Sequence, residues 1–529
     1  MQRRFLSDRT MAAYRELLQE RVPVGAPVMR RRDGAAPERP RRRQGPDLLR
    51  TGEGAGRLSP RCHLVSEGGY CVFAADNGQN RSSLGRDVIT LAEPGEYQAP
   101  AGVSWFFSGA EGVIGLTAAP LYRGDCRYSW EFYDGGAVWT CQRGGLTART
   151  GLALARLGSG ELRRAELHWD GEGVLEGELL CYLEPVLCGE RDHLAHPAFS
   201  KLFVESRAIP GGVSFRRRPR GAEEHPVLAA LWDGEGSTFT TSRQAALGRG
   251  GLRALAGGGP GPLKGETGAV LDPCLMVRLP VRLRPGESCA LRLALGVSDR
   301  LDAAADTAQR LLEGREEPGG MLAPIAQRLG LDQVQALGAF ALLRHLASVR
   351  PGAEGRPPQC ELWQFGISGD LPIAAAPLEG GVGEDKIGLW CAQHRFLTRA
   401  GWPFDLVFLA EEGGDYRRPL LTAVREALRA LGAESALGAR GGVHLVDHGE
   451  GFPTVLAWAS ARLPLELMEE EPEHWTPPPA VSVRPEPAPW HFDQAGSVVI
   501  RAGERLPPVG WSQILCGESF GWLTDETGN

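Results

Sequence analysis

The sequence predicts an α+β multidomain protein: a large antiparallel β-sandwich, followed by helices and a small three-layer α/β unit. Three observations predict it. Residues 61–299 alternate apolar and polar side chains between Gly, Pro and Asp turns, with almost no helical period. Residues 300–350 switch to a helical period. From about 371 onward strand-like and helix-like stretches take turns, the pattern of parallel strands joined by helices.

Taken in order, residues 5–22 place Met11, Tyr14, Leu17 and Leu18 on one helical stripe. One helix of that length is marginal without a partner, so 1–22 reads as the last helix of a preceding domain. Residues 23–60, with "MRRRDGAAPERPRRRQGP", are a basic Pro/Gly-rich linker. No aromatic side chains are interleaved to stack bases, which favours a solvated tether over a nucleic-acid arm. Within 61–299, "RAELHWD" turns Ala165, Leu167 and Trp169 one way and Arg164, Glu166 and His168 the other. In "VRLPVRL" the set Val277, Leu279, Val281 and Leu283 alternates with Arg278 and Arg282, and "RPGES" returns the chain into "CALRLALGV", which predicts a hairpin.

Residues 300–355 read as a helical linker, in which "DQVQALGAFALLRHLASVR" puts Val334, Leu337, Ala341 and His345 near one face. Residues 356–465 form the small βαβαβα unit. Its strands are expected at about 371–376, 405–410 and 442–446. Helices are expected at 384–400, from Pro419 to a stop at Gly432, and near 452–462. Residues 466–490 are an acidic, Pro-rich linker, and 491–529 resume strand-like text as the opening of a second β-sandwich.

The formal net charge of −7 argues against nucleic acid as the partner. Several cysteines, among them Cys181, Cys289 and Cys391, lie inside apolar runs and suit buried free thiols in a reducing compartment. No apolar stretch reaches the roughly 18–20 residues of a membrane span, and the N-terminus carries no signal-peptide core. These features point to a soluble, cytoplasmic chain without a direct membrane span.

Three stretches hold the candidate binding residues. "DHLAHPAFSK" offers Asp192, His193 and His196, but two histidines three apart before a proline do not make a helical metal pair. "QFGISGDLPI" offers Asp370, with glycines that precede a strand instead of following one, the reverse of a dinucleotide loop. "WDGEG" occurs at 169–173 and 232–236, where a Trp beside carboxylates suits a sugar and Asp-Gly equally suits a hairpin turn. The binding candidates are therefore Trp169, Asp192, His196 and Asp370. No catalytic residue, metal site or cofactor is assigned.

"AHPAFSKLFVES" (195–206) resembles a segment of bacterial cyclic β-1,2-glucan synthases, which belong with cellobiose-phosphorylase-like enzymes in glycoside hydrolase family ninety-four. "RELLQERVPVGAPV" (15–28), "HLVSEGGYCVFAADNG" (63–78), "GAVLDPCLMVRLPVRLRPGE" (268–287), "LWQFGISGDLPI" (362–373) and "WSQILCGESFGWLTDETG" (511–528) are similar to other signposts of that family, in the same order. The resemblance implies a β-supersandwich over 61–299, a β-glucan or oligosaccharide as ligand, and full-length relatives at the inner membrane. It also implies that the catalytic aspartate sits on an (α/α)₆ barrel, for which this sequence shows no G-D-W-N-D-G-type match. Where relatives carry an aromatic "GGYSRW"-like turn, this chain has "GQNRSS" (78–83). The expectation is a partial synthase or phosphorylase-like chain that binds or scaffolds β-glucan. The alternatives are a split enzyme working with a separately encoded catalytic domain, and a stand-alone lectin-like module.

Overall fold

The computed structural model of the chain describes residues 45–465 apart from short internal stretches, the longest being 93–100, 256–262, 348–355 and 411–417. Beyond 465 it describes strand segments between Ser482 and Asp525. The helix expected over 5–22 and the linker up to residue 44 lie outside the described residues, as does most of 466–490.

One layer of the sandwich is a ten-stranded antiparallel sheet. Opposite it stand two five-stranded sheets, one running Cys62–Glu67 to Pro185–Gly189 and the other built around Leu175–Leu183 and Pro273–Leu283. The inward halves of all three meet in one core that includes Val72, Trp105, Phe132, Leu167, Val277 and Leu295. Ala165 and Leu167 are fully buried in it and Trp169 packs at its rim, while Arg164 is exposed, as the alternation predicts.

The expected hairpin is not one. Pro273–Leu283 pairs with Leu175–Leu183 in a five-stranded sheet, whereas Glu287–Ser298 pairs with Ser159–Trp169 and Val227–Trp232 in the ten-stranded sheet. The Arg284–Glu287 turn carries the chain from one layer to the other, with Glu287 N–H on the Arg284 carbonyl at 2.9 Å and Gly286 at φ +83°. Two alternating strands that face each other across a core look the same in sequence as two that pair side by side.

The sandwich also starts earlier than expected. Arg50–Glu53, inside the stretch read as linker, pairs antiparallel with Arg127–Tyr133 at the sheet edge. Arg50 donates to the Cys62 carbonyl at 2.8 Å, lies 3.0 Å from His63 Nδ1 and stacks its guanidinium on Phe132 and Phe340.

The stretch read as helical linker is core. Helix Leu301–Leu312 seals one end of the ten-stranded sheet's outer face with Ala308 and Leu311. Helices Leu322–Arg328 and Gln333–Ala347 pack between the sandwich and the α/β unit. In Gln333–Ala347 the buried face is Ala336, Ala339, Phe340 and Leu343; of the expected face Val334 and Ala341 are exposed, whereas His345 is buried and Leu337 packs against the core. The spacing i, i+3, i+4, i+7 fits both stripes; the one carrying Phe340 buries more apolar area and wins.

The α/β unit matches its expected order. Ile373–Pro377, Asp405–Leu409 and Val443–Val446 are parallel, and Ala461–Arg462 adds a fourth strand where the last helix was expected to continue. That helix ends at Trp458. Helices Glu384–Arg399 and Pro419–Ala430 cover the sheet face formed by Ala374, Ala376, Leu406 and Phe408. Ile373, Ala375, Val407 and Leu409 on the opposite face meet Leu362, Ile367 and Val455. Past 465, Trp490–Phe492 pairs with Val498–Ile500 and Ser512–Cys516 with Gly521–Asp525, both antiparallel.

Candidate functional site

Of the four sequence candidates, Asp192 and His196 share one crossing, whose Arg191 ion-pairs with Asp370, and Trp169 ends strand Ser159–Trp169. Trp169 donates its indole N–H to the Gly173 carbonyl at 3.1 Å, and its turn folds so closely over the ring that a Cβ at Gly171 would sit 2.3 Å away. Trp232 in the second W-D-G-E-G copy donates to the Ser237 hydroxyl at 2.9 Å, and Asp233 accepts the Arg292 backbone N–H at 2.8 Å. Both tryptophans are held by their own turns.

Asp192 and His196 are exposed on a crossing built from two short helices, Glu190–Ala195 and Pro197–Lys201. The inner side of that crossing is what fixes it. Buried His193 lies 3.2 Å from the Ser200 hydroxyl, and Arg217 donates to the Ser200 carbonyl at 3.0 Å. Burial, then the nearby Lys201 and Arg217 charges, hold His193 below the ordinary imidazole value and keep it neutral. Lys201 bridges Glu184 at 2.7 Å and Asp272 at 3.1 Å. Leu187, just before the crossing, is held at φ +56°. Asp192 and His196 themselves gain no ligand-like surroundings from this arrangement.

Asp370 does. The 3₁₀ helix Gln359–Phe365 buries Leu362 against the α/β sheet and turns Trp363 outward, 63% exposed. Trp363 Nε1 donates to the Ser368 carbonyl at 3.3 Å, and Gln359 Nε2 donates to the same carbonyl at 2.8 Å. Gln359 Nε2 also reaches Asp370 Oδ1 at 3.1 Å. Gly369 sits at φ +73° where a Cβ would come within 2.9 Å of both Gln359 and Leu362, so the turn requires glycine. From the sandwich side, Arg191 Nη1 donates to Asp370 Oδ1 at 2.8 Å, and within the α/β unit Arg440 Nε stands 3.9 Å from Oδ2.

This seam between sandwich and α/β unit gathers an exposed indole, a carboxylate, an amide and two guanidinium groups. An aromatic face with a few convergent polar groups is what binds the apolar face and the hydroxyls of a pyranose. Trp363, Gln359, Arg191 and Arg440 were not picked out from sequence, although Trp363 and Gln359 stand within or beside the "LWQFGISGDLPI" stretch. Among the described residues no cluster of His, Cys, Asp and Glu is arranged to hold a metal.

A ten-stranded sheet facing a second β layer across one shared core, joined to a small α/β unit, has the architecture of a β-supersandwich protein. The chain belongs to glycosyl hydrolase family 94: the family's supersandwich domain model matches residues 49–313. It is 27% identical over 465 residues to the cyclic β-(1,2)-glucan synthase NdvB of Rhizobium meliloti strain 1021, covering 81% of this chain. The chain spans 16% of that relative's length. Among solved structures, a protein described as a kojibiose phosphorylase from the human microbiome is similar at 7% identity and a TM-score of 0.33, over 58% of this chain and 43% of that one. A bacterial glucoamylase complexed with acarbose is similar at 10% identity and a TM-score of 0.30, over 51% of this chain and 35% of that one.

Proposed function

We propose that this chain binds β-glucan at the seam and presents it to chemistry carried out elsewhere in a cyclic β-1,2-glucan synthase-like or glycoside phosphorylase-like system. The observation that carries the reading is the exposed Trp363 ring beside Asp370, at a junction contributed by both lobes. The similarity to a cyclic β-(1,2)-glucan synthase supports the choice of glucan. At the seam Asp370 is ion-paired with Arg191, and its carboxylate oxygens are placed to accept from sugar hydroxyls.

Calorimetric titration with linear β-1,2-gluco-oligosaccharides tests the reading. Trp363→Ala is expected to weaken binding about tenfold or more, since one buried aromatic contact contributes ~1–2 kcal/mol. Equal affinity in the variant would defeat the seam, and absence of any binding to the unaltered chain would leave a scaffolding role alone. The purified chain is expected to release no glucose-1-phosphate from these oligosaccharides and phosphate.

One observation favours the split-enzyme reading. Leu194, Phe199 and Leu202, 43%, 47% and 39% exposed, lie on the same crossing that supplies Arg191. Exposed apolar side chains grouped in this way fit a protein surface, and here the proposed partner is a separately encoded catalytic domain. Recovery of phosphorolysis on mixing the two polypeptides, lost in a Phe199→Asp variant, is the expected result.

A further inference from the structure

The outer face of the ten-stranded sheet is ion-paired along its middle. Arg164 bridges Glu166 at 2.8 Å and Arg292 bridges Asp233 at 2.5 Å. Helix Leu301–Leu312 covers one end of that face with apolar side chains. Toward the edge strand Arg50–Glu53 the face changes character. There the chain leaves a groove of about 300 Å³ lined by Thr51, Glu53, Ser129, Glu131, Thr140 and Arg149, with Gly52, Trp130 and Val138 between them.

Register explains the arrangement. Glu53 stands opposite Ser129, Ser129 opposite Thr140, and Thr140 opposite Arg149, one row running across four strands. Thr51, Glu131 and Val138 form the adjacent row. At ~4.8 Å per strand the first row is about 14 Å long, and the second lies roughly 7 Å away. Among the described residues Glu53, Glu131 and Arg149 have no ion-pair partner, unlike the charges farther along the same face.

Trp130 lies on the other face of the same strand, 6% exposed in the sandwich core. Gly52 is directly opposite Trp130, and any side chain there would meet the indole ring at 2.5 Å. The missing side chain at position 52 is what lets the indole lie against the edge strand.

The lining selects its ligand by elimination. An anion would face Glu53 and Glu131, a cation would face Arg149, and an apolar ligand would find little besides Val138. What fits is an uncharged molecule carrying many hydroxyls in a row. We propose that this groove is a second saccharide site, taking a neutral oligosaccharide across the four strands, separate from the seam and sharing no residue with it.

The test uses the full chain carrying Trp363→Ala, so that seam binding is weakened, titrated with a linear β-1,2-gluco-oligosaccharide and, separately, a linear maltooligosaccharide. Binding is expected to persist for at least one of them, and to weaken about tenfold on adding Arg149→Ala or Glu131→Gln. Both side chains are at least partly exposed, so the fold is expected to be retained, as circular dichroism would verify. Neither sugar binding in the Trp363→Ala background, or binding unchanged within about twofold by both groove variants, would overturn the groove. If Trp363→Ala alone has no effect while Arg149→Ala removes binding, the seam reading fails and the groove stands.

Discussion

Replacing Arg163 by Met is expected to destabilise the sandwich by about 3–5 kcal/mol, because it strands a buried carboxylate. Glu161 and Arg163 lie on the inward side of strand Ser159–Trp169, with side chains 0% and 3% exposed. Arg163 donates to Glu161 Oε2 through Nε at 3.0 Å and Nη2 at 2.7 Å, and to Asn80 Oδ1 at 3.1 Å. Glu161 Oε1 also accepts from the hydroxyls of Ser82 at 2.7 Å and Tyr70 at 3.3 Å. After Arg163→Met the two hydroxyls remain, but the countercharge is gone in a site that water does not reach. The carboxyl then favours its neutral form, so its folded pKa rises above the unfolded value near 4.3. A raised carboxyl pKa contributes stability present below the unfolded value and lost as pH rises through the folded one. The variant's deficit should therefore be largest at neutral pH and shrink in mild acid. Urea unfolding of both chains at about pH 5 and pH 8 measures it. Replacing the pair together, Glu161→Leu with Arg163→Met, should restore most of the loss. A single variant within about 1 kcal/mol of the original chain, or a deficit that does not change with pH, would show that the pair is not the buried charge the structure presents.

Three further outcomes are expected. Phe340→Ala should cost about 3–5 kcal/mol while leaving a single unfolding transition; two transitions would mean that sandwich and α/β unit do not share a core. Gly369→Ala should destabilise by about 1 kcal/mol or more and weaken glucan affinity along with it, because φ +73° and the contacts to Gln359 and Leu362 both oppose a Cβ. Acid should destabilise through two neutral histidines: burial lowers His63 to about 3 and His394 to about 4. Each takes up a proton on unfolding below about pH 6.5, so each removes up to ~1.4 kcal/mol per pH unit until its folded pKa is reached. Asp76, raised by burial to about 6, works in the opposite sense over the upper part of that range. Urea midpoints against pH for His394→Gln, which should flatten the decline, check the sign.

What could be read from the sequence was whatever rests on local period. The alternation at Ala165 and Leu167 and the helix and strand succession from 373 to 446 are local, and both appear where expected. Which sheet a strand joins is not local, and the 273–283 and 287–298 strands show it. The same limit hides the buried pair. Counting back by twos from Ala165 puts Arg163 and Glu161 inside, but nothing near them in sequence announces Tyr70 or Ser82, which make burial tolerable. The seam is more remote still, since Arg191 and Asp370 are 179 residues apart. Asp370 was legible as a turn carboxylate; its company was not.

The seam's geometry is set by packing, not by the ion pair that crosses it. Arg191 is 79% exposed, and a surface pair of this kind contributes at most ~1 kcal/mol. Elsewhere between the lobes, His63 of the sandwich stacks on Phe132 at 5.1 Å and meets Phe340 at 4.9 Å, and Phe340 meets Phe396 of the α/β unit at 5.7 Å. Arg50 caps Phe132 and Phe340 together, Phe73 packs on Trp402 at 5.0 Å, and Gly401 admits Cys71 where a Cβ would come within 2.6 Å of it. Rings and backbone from both lobes thus interlock in a core packed too closely to slide. A site whose halves come from two lobes is normally loose. Here the shared core fixes the two lobes against each other, so the saccharide binding proposed at the seam would need little ordering of one lobe against the other.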